Sequence, residues 1–282
     1  MERELWKVVY AALRKVACRF DQKYVQFQPW RLAAVLLWAA LHDRPVCWAC
    51  DRRNWSTTRL KPDRLPSEAT MSRRARKTSF ALFLSALADE LKGSGPPAWE
   101  LMVDGKPLPV GKCSKDPDAK PNQHGRGYKL HTLWGTKYVP DVWEVTAARE
   151  NEAAVAVRLL TQVRGAGYLY ADGSYEDNRV YDAADASGYQ LLAHPGTQAT
   201  GQGHGYQSSN RLRALGMFAD GYGWDLYRRR TSIERRFGNA GAFGGGLAPL
   251  PNWVRRLGRV TRWVCCKLII NAARIIHKQQ HL

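Results

Sequence analysis

The sequence lacks the features that would mark a membrane or secreted protein. Its longest apolar run, from Leu32 to Leu41, is far shorter than the stretch that a membrane-spanning helix needs. The first residues, Met-Glu-Arg-Glu-Leu-Trp, do not have the layout of a secretory signal. We therefore expect a soluble, cytoplasmic protein with no membrane partner.

Cysteine is too scarce and too irregularly placed to organise the fold. The six cysteines among 282 residues form no disulfide framework. Cys47 and Cys50 form a Cys-x2-Cys pair, but no second pair follows at the spacing of a zinc site. Buried free thiols are therefore the favoured interpretation. A Walker motif, a dinucleotide-binding glycine pattern and a Ser-His-Asp arrangement are also missing.

Acidic residues are few, and this shortage is the strongest bulk signal. The chain has 43 Lys and Arg against 25 Asp and Glu, a formal net charge of +18. The excess is concentrated: residues 228–282 carry twelve basic residues and one acid, and residues 51–77 carry nine basic residues and three acids. Such a field favours a polyanionic partner, first of all nucleic acid. An acidic membrane is the weaker alternative, because no basic amphipathic terminus is evident.

The first part of the chain has a helical pattern. Ser67 precedes a short segment that ends in Arg-Arg-Ala-Arg-Lys, and its hydroxyl is a suitable N-cap. A short basic helix between two others is consistent with a helix-turn-helix-like module, in which Arg73 and Arg74 would contact DNA. A basic linker between ordinary helices is the alternative. The break at Lys92-Gly-Ser-Gly-Pro-Pro-Ala98 then suggests two domains: a helical DNA-binding domain over residues 1–95 and a catalytic domain with basic C-terminal helices over residues 96–282.

The second part reads as mixed α/β. Apolar runs separated by turns predict strands near residues 99–104, 128–134 and 142–146, with Gly105 turning the chain after the first. A helix capped by Asn151, a strand ending at Asp172, a second helix and a strand over residues 189–193 follow. Residues 195–210 are rich in Gly, Gln and Ser and predict a mobile loop. The order indicates an antiparallel part followed by a parallel part.

Three acids stand out from this background. Asp104 and Asp172 each close an apolar strand, and functional groups gather where central strands of α/β sheets end. Two such carboxylates would repel each other unless a cation lay between them. Glu234 is the lone acid in an arginine-rich stretch, and on one helix it would share a face with Tyr227 and Arg230. An ordinary surface ion pair between Arg230 and Glu234 remains the alternative.

The chain resembles the DDE transposases of bacterial insertion sequences, which have a ribonuclease H-like catalytic domain: a mixed sheet flanked by helices. The family's helix signature is Tyr, two residues, Arg, three residues, Glu, six residues, Lys. This chain matches its first three positions, whereas Gly241 occupies the Lys position. The resemblance is carried by Val103-Asp104-Gly105, Gly127-Tyr128-Lys129-Leu130-His131, Ala171-Asp172-Gly173-Ser174-Tyr175 and Tyr227-x2-Arg230-x3-Glu234.

The resemblance implies a function and its participants. Asp104, Asp172 and Glu234 would bind Mg²⁺, with Mn²⁺ able to substitute, and Tyr227 and Arg230 would contact DNA phosphate. The partners would be terminal inverted repeats and target DNA, with a dimer in the synaptic complex, in the cytoplasm at the bacterial nucleoid. Gly241 keeps one alternative open, a domesticated or decayed DNA-binding protein. A ribonuclease H-like nuclease that cuts without joining is a further alternative.

Other candidates carry less weight. Lys129 and Arg235 are further candidate DNA contacts. Arg235 and Arg236 are the basic residues considered as replacements for the missing Lys, although they point elsewhere on the predicted helix. His131 is interpreted first as a core residue. In the basic tail, the tryptophans are expected to anchor a helix and leave four arginines for DNA: Arg255, Arg256, Arg259 and Arg262.

Overall fold

The computed structural model of the chain divides into two compact units. One consists of Met1–Gly93 together with Asn239–Leu282, and the other is Ser94–Gly238. The structure describes residues 2–21, 23–93, 95–195, 205–241, 246–247 and 249–280. Among these residues, no helix is both long enough and apolar enough to cross a membrane.

The first unit, here called the helical unit, is built around tryptophans. Trp38 stacks on Trp55 with ring centroids 4.8 Å apart, and Trp6 meets Trp38 edge-on at 4.9 Å. Each of the three indole N–H groups donates to a backbone carbonyl, so their burial leaves no unsatisfied donor. The helices are α1 (Glu2–Ala17), α2 (Pro29–Leu41), α3 (Val46–Ala49), α4 (Glu68–Arg74), α5 (Thr78–Lys92) and, at the far end of the chain, α11 (Leu257–Gln279).

The last helix packs among the first ones. α11 contacts α1, α2 and α5, and its Lys267 is buried, with Nζ donating to Ala40 O at 2.8 Å. The sequence had placed the C-terminal helices with the catalytic domain of residues 96–282. The structure groups α11 with the N-terminal helices because its apolar residues, from Val260 to Ala273, are buried there. A DNA-binding role for residues 1–95 stays a prediction.

The second unit, here called the sheet unit, contains a six-stranded mixed sheet. β3 pairs antiparallel with β1, and β4 pairs antiparallel with β3, whereas β5 pairs parallel with β1 and β6 pairs parallel with β5. The strand order is β2-β3-β1-β5-β6, with β4 also paired to β3. Residues 127–134 of β3 are all buried, as expected for a central strand covered on both faces. The strands are β1 (Glu100–Pro109), β2 (Lys120–Asn122), β3 (Gly125–Trp134), β4 (Val142–Ala147), β5 (Gly167–Ala171) and β6 (Tyr189–Ala193).

Helices flank this sheet, which confirms the predicted α/β fold with a mixed sheet and an N-terminal helical region. α6 packs on β3 and β4, and α7 packs on β6. Asn151 caps α6 as predicted, accepting from Ala154 N at 2.9 Å. The helices are α6 (Glu152–Leu160), α7 (Asn178–Ser187), α8 (Ser209–Ala219), α9 (Tyr222–Tyr227) and α10 (Thr231–Gly241).

One local prediction was wrong, and one boundary differs. Gly105 does not turn the chain: β1 runs on to Pro109, because Gly105 pairs with His131 in the long ladder with β3. The loop predicted over residues 195–210 ends two residues earlier, since α8 begins at Ser209 with Ser208 at the capping position. Residues 196–204 of that stretch lie outside the described residues.

Candidate active site

Two aspartates stand side by side where β1 and β5 separate. The parallel register pairs Met102 with Tyr170. Asp104 and Asp172 each follow two residues later, and the charge of Asp172 acts on the pKa of Asp104, so the two carboxylates are neighbours. Because side chains alternate along a strand, both aspartates point to the same face of the sheet. Asp104 thus lies inside β1 rather than at its end, but at the point where the parallel pairing stops.

A tight turn fixes the Asp172 side chain. Asp172 is the N-cap of the 3₁₀ turn Gly173–Tyr175, and its Oδ1 accepts from the Ser174 backbone N–H at 2.9 Å. The Ser174 hydroxyl also donates to this oxygen. The other oxygen, Oδ2, lies 4.0 Å from Nη2 of Arg230. The carboxylate is therefore oriented by its own turn and faces a cation.

Arg230 connects this aspartate to the third predicted acid. Its Nη1 lies 3.7 Å from Oε1 of Glu234, so one guanidinium group lies within ion-pair distance of both carboxylates. The predicted single helix is instead three pieces: α9 ends at Tyr227, a 3₁₀ turn covers Arg228–Arg230, and α10 follows. In a 3₁₀ turn, residues three apart are nearly eclipsed, so Tyr227 and Arg230 still share a face.

A fourth carboxylate, which sequence reasoning missed, lies beside the aspartates. Glu152, in the first turn of α6, forms an ion pair with Lys129 of β3. Its Oε2 also accepts from the Ser174 hydroxyl at 3.4 Å, which links it to Asp172 through one residue. A Cβ on Gly105 would come within 2.8 Å of the Lys129 side chain, so the glycine after Asp104 makes room for this ion pair. The sequence predicts only the helix capped by Asn151 at this point and gives no local sign that Glu152 lies beside the aspartates.

The electrostatics link three of these acids. The pKa of Asp104 is raised to about 6, chiefly by burial and to a smaller extent by the charges of Asp172 and Glu152. The N–H of Gly105 and the guanidinium of Arg230 act in the opposite direction. The pKa of buried Tyr175 is also raised, first by burial and then by the same three carboxylates. Negative charge is therefore in excess at this edge of the sheet.

The predicted DNA contacts fall into different environments. Arg73 and Arg235 are exposed, whereas Arg74 is half-buried and donates to Phe27 O at 3.3 Å. Tyr227 is half-buried beside His194, with ring centroids 5.8 Å apart. Lys129 is buried and paired with Glu152, so the structure gives its ammonium a partner within the protein.

Two further predictions concern the core. His131 is buried, its Nε2 lies 3.0 Å from the Thr146 hydroxyl, and burial lowers its pKa to about 4, as a neutral core residue requires. All six cysteines are free: Cys265 and Cys266 are buried as expected, but Cys47 is exposed and Cys50 only half-buried.

The donor set suits a hard divalent cation. Mg²⁺ and Mn²⁺ prefer carboxylate, phosphate and water oxygens. The pKa of Asp104 is raised first by burial and then by the neighbouring carboxylates, and a bound cation would favour the ionised form against both. Across the parts of the chain that the structure describes, however, no three His, Cys, Asp or Glu side chains are already gathered to hold a metal ion. The carboxylates therefore suit a divalent cation by their chemistry and by the strand register, without forming a complete metal site.

Comparison with known proteins gives a family match over this part of the chain. The family model described as the transposase DDE domain matches residues 95–266. No curated protein and no solved structure matches the chain. The matched range covers the whole described sheet and all four carboxylates of the candidate site.

Proposed function

The chain belongs to the DDE transposase family, and on this premise we propose that it cleaves DNA at the ends of an insertion sequence and joins them to target DNA. Asp104, Asp172 and Glu234 would hold Mg²⁺, or Mn²⁺ in its place. The observation that carries the proposal is that Asp104 and Asp172 are neighbours, with Arg230 reaching from Asp172 to Glu234. When bound, divalent ions would activate the attacking oxygen and stabilise the leaving oxygen of the phosphodiester.

The chain's own residues would position the DNA for two displacements. In the first, a water oxygen attacks phosphorus and the bond from phosphorus to the 3′ oxygen breaks, which frees a 3′-OH. In the second, that 3′-OH attacks a phosphodiester of the target, whose 3′ oxygen leaves. Arg230 is half-buried beside the carboxylates and would donate to a phosphate oxygen, since a guanidinium matches phosphate geometry. Tyr227, which packs against His194, would contact the same DNA strand.

Two other activities remain as alternatives, each with its own motive. Gly241 at the family's Lys position favours a decayed or domesticated protein that binds DNA without cutting it. The ribonuclease H-like sheet would also suit a nuclease that cuts but does not join. In both alternatives DNA stays the partner, as the net charge of +18 favours.

The test uses supercoiled DNA that carries the sequences flanking the gene, the purified full chain and Mg²⁺ or Mn²⁺. We expect nicks at the element ends and joined products, both lost in Asp172→Asn while DNA binding is retained. Binding without cleavage in either metal would replace the proposal with the non-catalytic alternative. Nicks without joined products would instead identify a nuclease.

A further inference from the structure

The helical unit contains a cavity that the proposed chemistry does not use. Its volume is about 210 Å³, and its walls come from α4, the start of α3, and the segment from Trp253 into α11. Met71 and Val254 are buried apolar wall residues. Sites for drug-sized ligands are typically about 300–1,000 Å³, so this one suits a single ring system.

Three arginines line the cavity: Arg76, Arg259 and Arg262. Within the described residues none of them forms an ion pair, and the one acid in the lining is Glu68. The hydrogen bonds of Arg76 and Arg259 go to neutral oxygens, those of Ser72 and of the Trp253 backbone, each at 3.2 Å. Burial lowers the pKa of Arg262, and the charges of Arg259 and Arg76 lower it further. The cavity therefore has an uncompensated positive charge, which an anion would relieve.

Two tryptophans line the same cavity: one has an unsatisfied indole N–H, and the other is partly exposed. The Nε1 atom of buried Trp263 has no hydrogen-bond partner, although a buried donor without an acceptor is destabilising. Trp253 is 38% exposed at the cavity, contrary to the expectation that it anchors a helix. An exposed indole beside arginines is the combination with which proteins stack bases and hold the attached phosphates.

We propose that this cavity binds one unpaired nucleotide of a DNA strand, with its phosphate on the arginines and its base against the tryptophans. The size of the cavity excludes a paired duplex, and its positive charge excludes a purely apolar ligand. The inference rests on the proposed function in that it takes DNA as the partner. It adds that the helical unit distinguishes a strand with an unpaired end from a blunt duplex.

The experiment compares two labelled DNAs by fluorescence anisotropy, a duplex with a single-stranded overhang and the same duplex with blunt ends. With the full chain, we expect the overhang DNA to bind at least about fivefold more tightly, the smallest effect expected from one stacked base. Trp253→Ala and Arg76→Gln, both at exposed positions, should each reduce this preference, and Arg262→Gln should abolish it. Arg64→Gln is the matched control, because Arg64 is an exposed arginine of the helical unit outside the cavity.

The outcomes separate the inference from the proposed function. Equal binding of both DNAs, or a preference that survives in all three cavity variants with native circular dichroism, overturns the inference and leaves transposition untouched. Failure to bind either DNA overturns both. A deoxynucleoside monophosphate is the competitor: if it binds in an Arg262-dependent way but overhang DNA does not displace it, the ligand is a free nucleotide and the DNA assignment is wrong.

Discussion

In the helical unit three arginines share a cavity with one acid, whereas at the edge of the sheet four carboxylates share two cations, Lys129 and Arg230. The two sites thus carry opposite charge imbalances, although the chain as a whole is strongly basic. Net charge indicates that the partner is a polyanion, but only the local imbalance indicates what each site would take. The cavity suits a phosphate, and the sheet edge suits a divalent cation.

The comparison also shows two ways of tolerating like charges. Two of the cavity arginines, Arg76 and Arg259, are exposed, and water screens their charges. Asp104 and Arg262 are less accessible, and burial shifts the pKa of each towards its neutral form. An ionised carboxylate at position 104 lowers the stability of the metal-free folded state compared with a neutral residue, and such a cost is typical of functional sites.

The first prediction concerns the loss of the Asp104 carboxylate. Asp104→Asn should lower the nicking rate by at least about a thousandfold, because ion binding at such a site is worth several kcal/mol of transition-state stabilisation. DNA binding should stay within about twofold, since phosphate contacts dominate affinity. The matched control is Asp220→Asn, an exposed aspartate of the sheet unit. Nicking at the wild-type rate in Asp104→Asn would remove this residue from the site.

The second prediction uses the same variant without metal. The folded pKa of Asp104 is raised from 3.8 to about 6, so the ionised side chain destabilises the folded state above that pH. Asp104→Asn should therefore raise the free energy of unfolding near neutral pH by up to about 3 kcal/mol. The gain should shrink as the pH falls from 6 to 3.8, and vanish below, where Asp104 is protonated in both states.

The measurement is urea unfolding in chelator across this pH range, with Asp220→Asn as the control. An Asn at position 104 can still accept from the Gly105 N–H, which now donates to Asp104 Oδ1 at 2.7 Å, so this local hydrogen bond within β1 is retained. A variant that is less stable than wild type at neutral pH would show that Asp104 is held by favourable contacts rather than strained by burial.

Much of this arrangement was accessible from sequence, for physical reasons. Asn151 and Ser67 were recognised as caps because a short polar side chain before an apolar period has one common role. Asp104 and Asp172 were recognised because an acid after an apolar strand is rare. The parallel register that brings them together depends on tertiary structure and cannot be read from local sequence. The same holds for the packing of α11 against N-terminal helices that are more than 150 residues away in sequence, about the length of a domain.

Other parts of the site could not be read locally. β1 continues through Gly105 because β3 supplies a ladder for it, and this overrides the turn preference of glycine. Glu152 begins a helix in the sequence and meets Lys129 only after α6 packs on β3. A signal was present in hindsight: a lysine inside an otherwise buried strand needs a carboxylate partner.

The third prediction tests whether Arg230 holds Glu234 in place beside Asp172. Arg230→Gln leaves Asp172 and Glu234 without their shared cation and should raise the pKa of Asp104, which Arg230 now lowers. We expect nicking to fall about tenfold to a hundredfold, the range for one lost charge-assisted contact. Arg235→Gln, which alters an exposed arginine of the following helix α10, should have a smaller effect. An equal loss in both variants would indicate general DNA affinity rather than a role for Arg230 at the acids.

The fourth prediction asks whether Glu152 belongs to the acid group or only to the packing of α6. Glu152→Gln removes one negative charge and the partner of Lys129, whose ammonium is then free to pair with Asp104 or Asp172 instead. Affinity for Mn²⁺, measured by electron paramagnetic resonance without DNA, should fall about tenfold, as is typical when a group supporting metal ligands is lost.

The matched control for this variant is Glu150→Gln, two residues earlier in the chain. Glu150 is exposed and pairs with Arg158 at 3.4 Å, so its loss should leave Mn²⁺ affinity unchanged. The double variant Glu152→Gln with Lys129→Met should recover part of the affinity, because it removes the competing cation together with the acid. If the double variant binds Mn²⁺ no better than Glu152→Gln alone, Lys129 does not compete for the aspartates and the sheet edge has only one effective internal cation, Arg230.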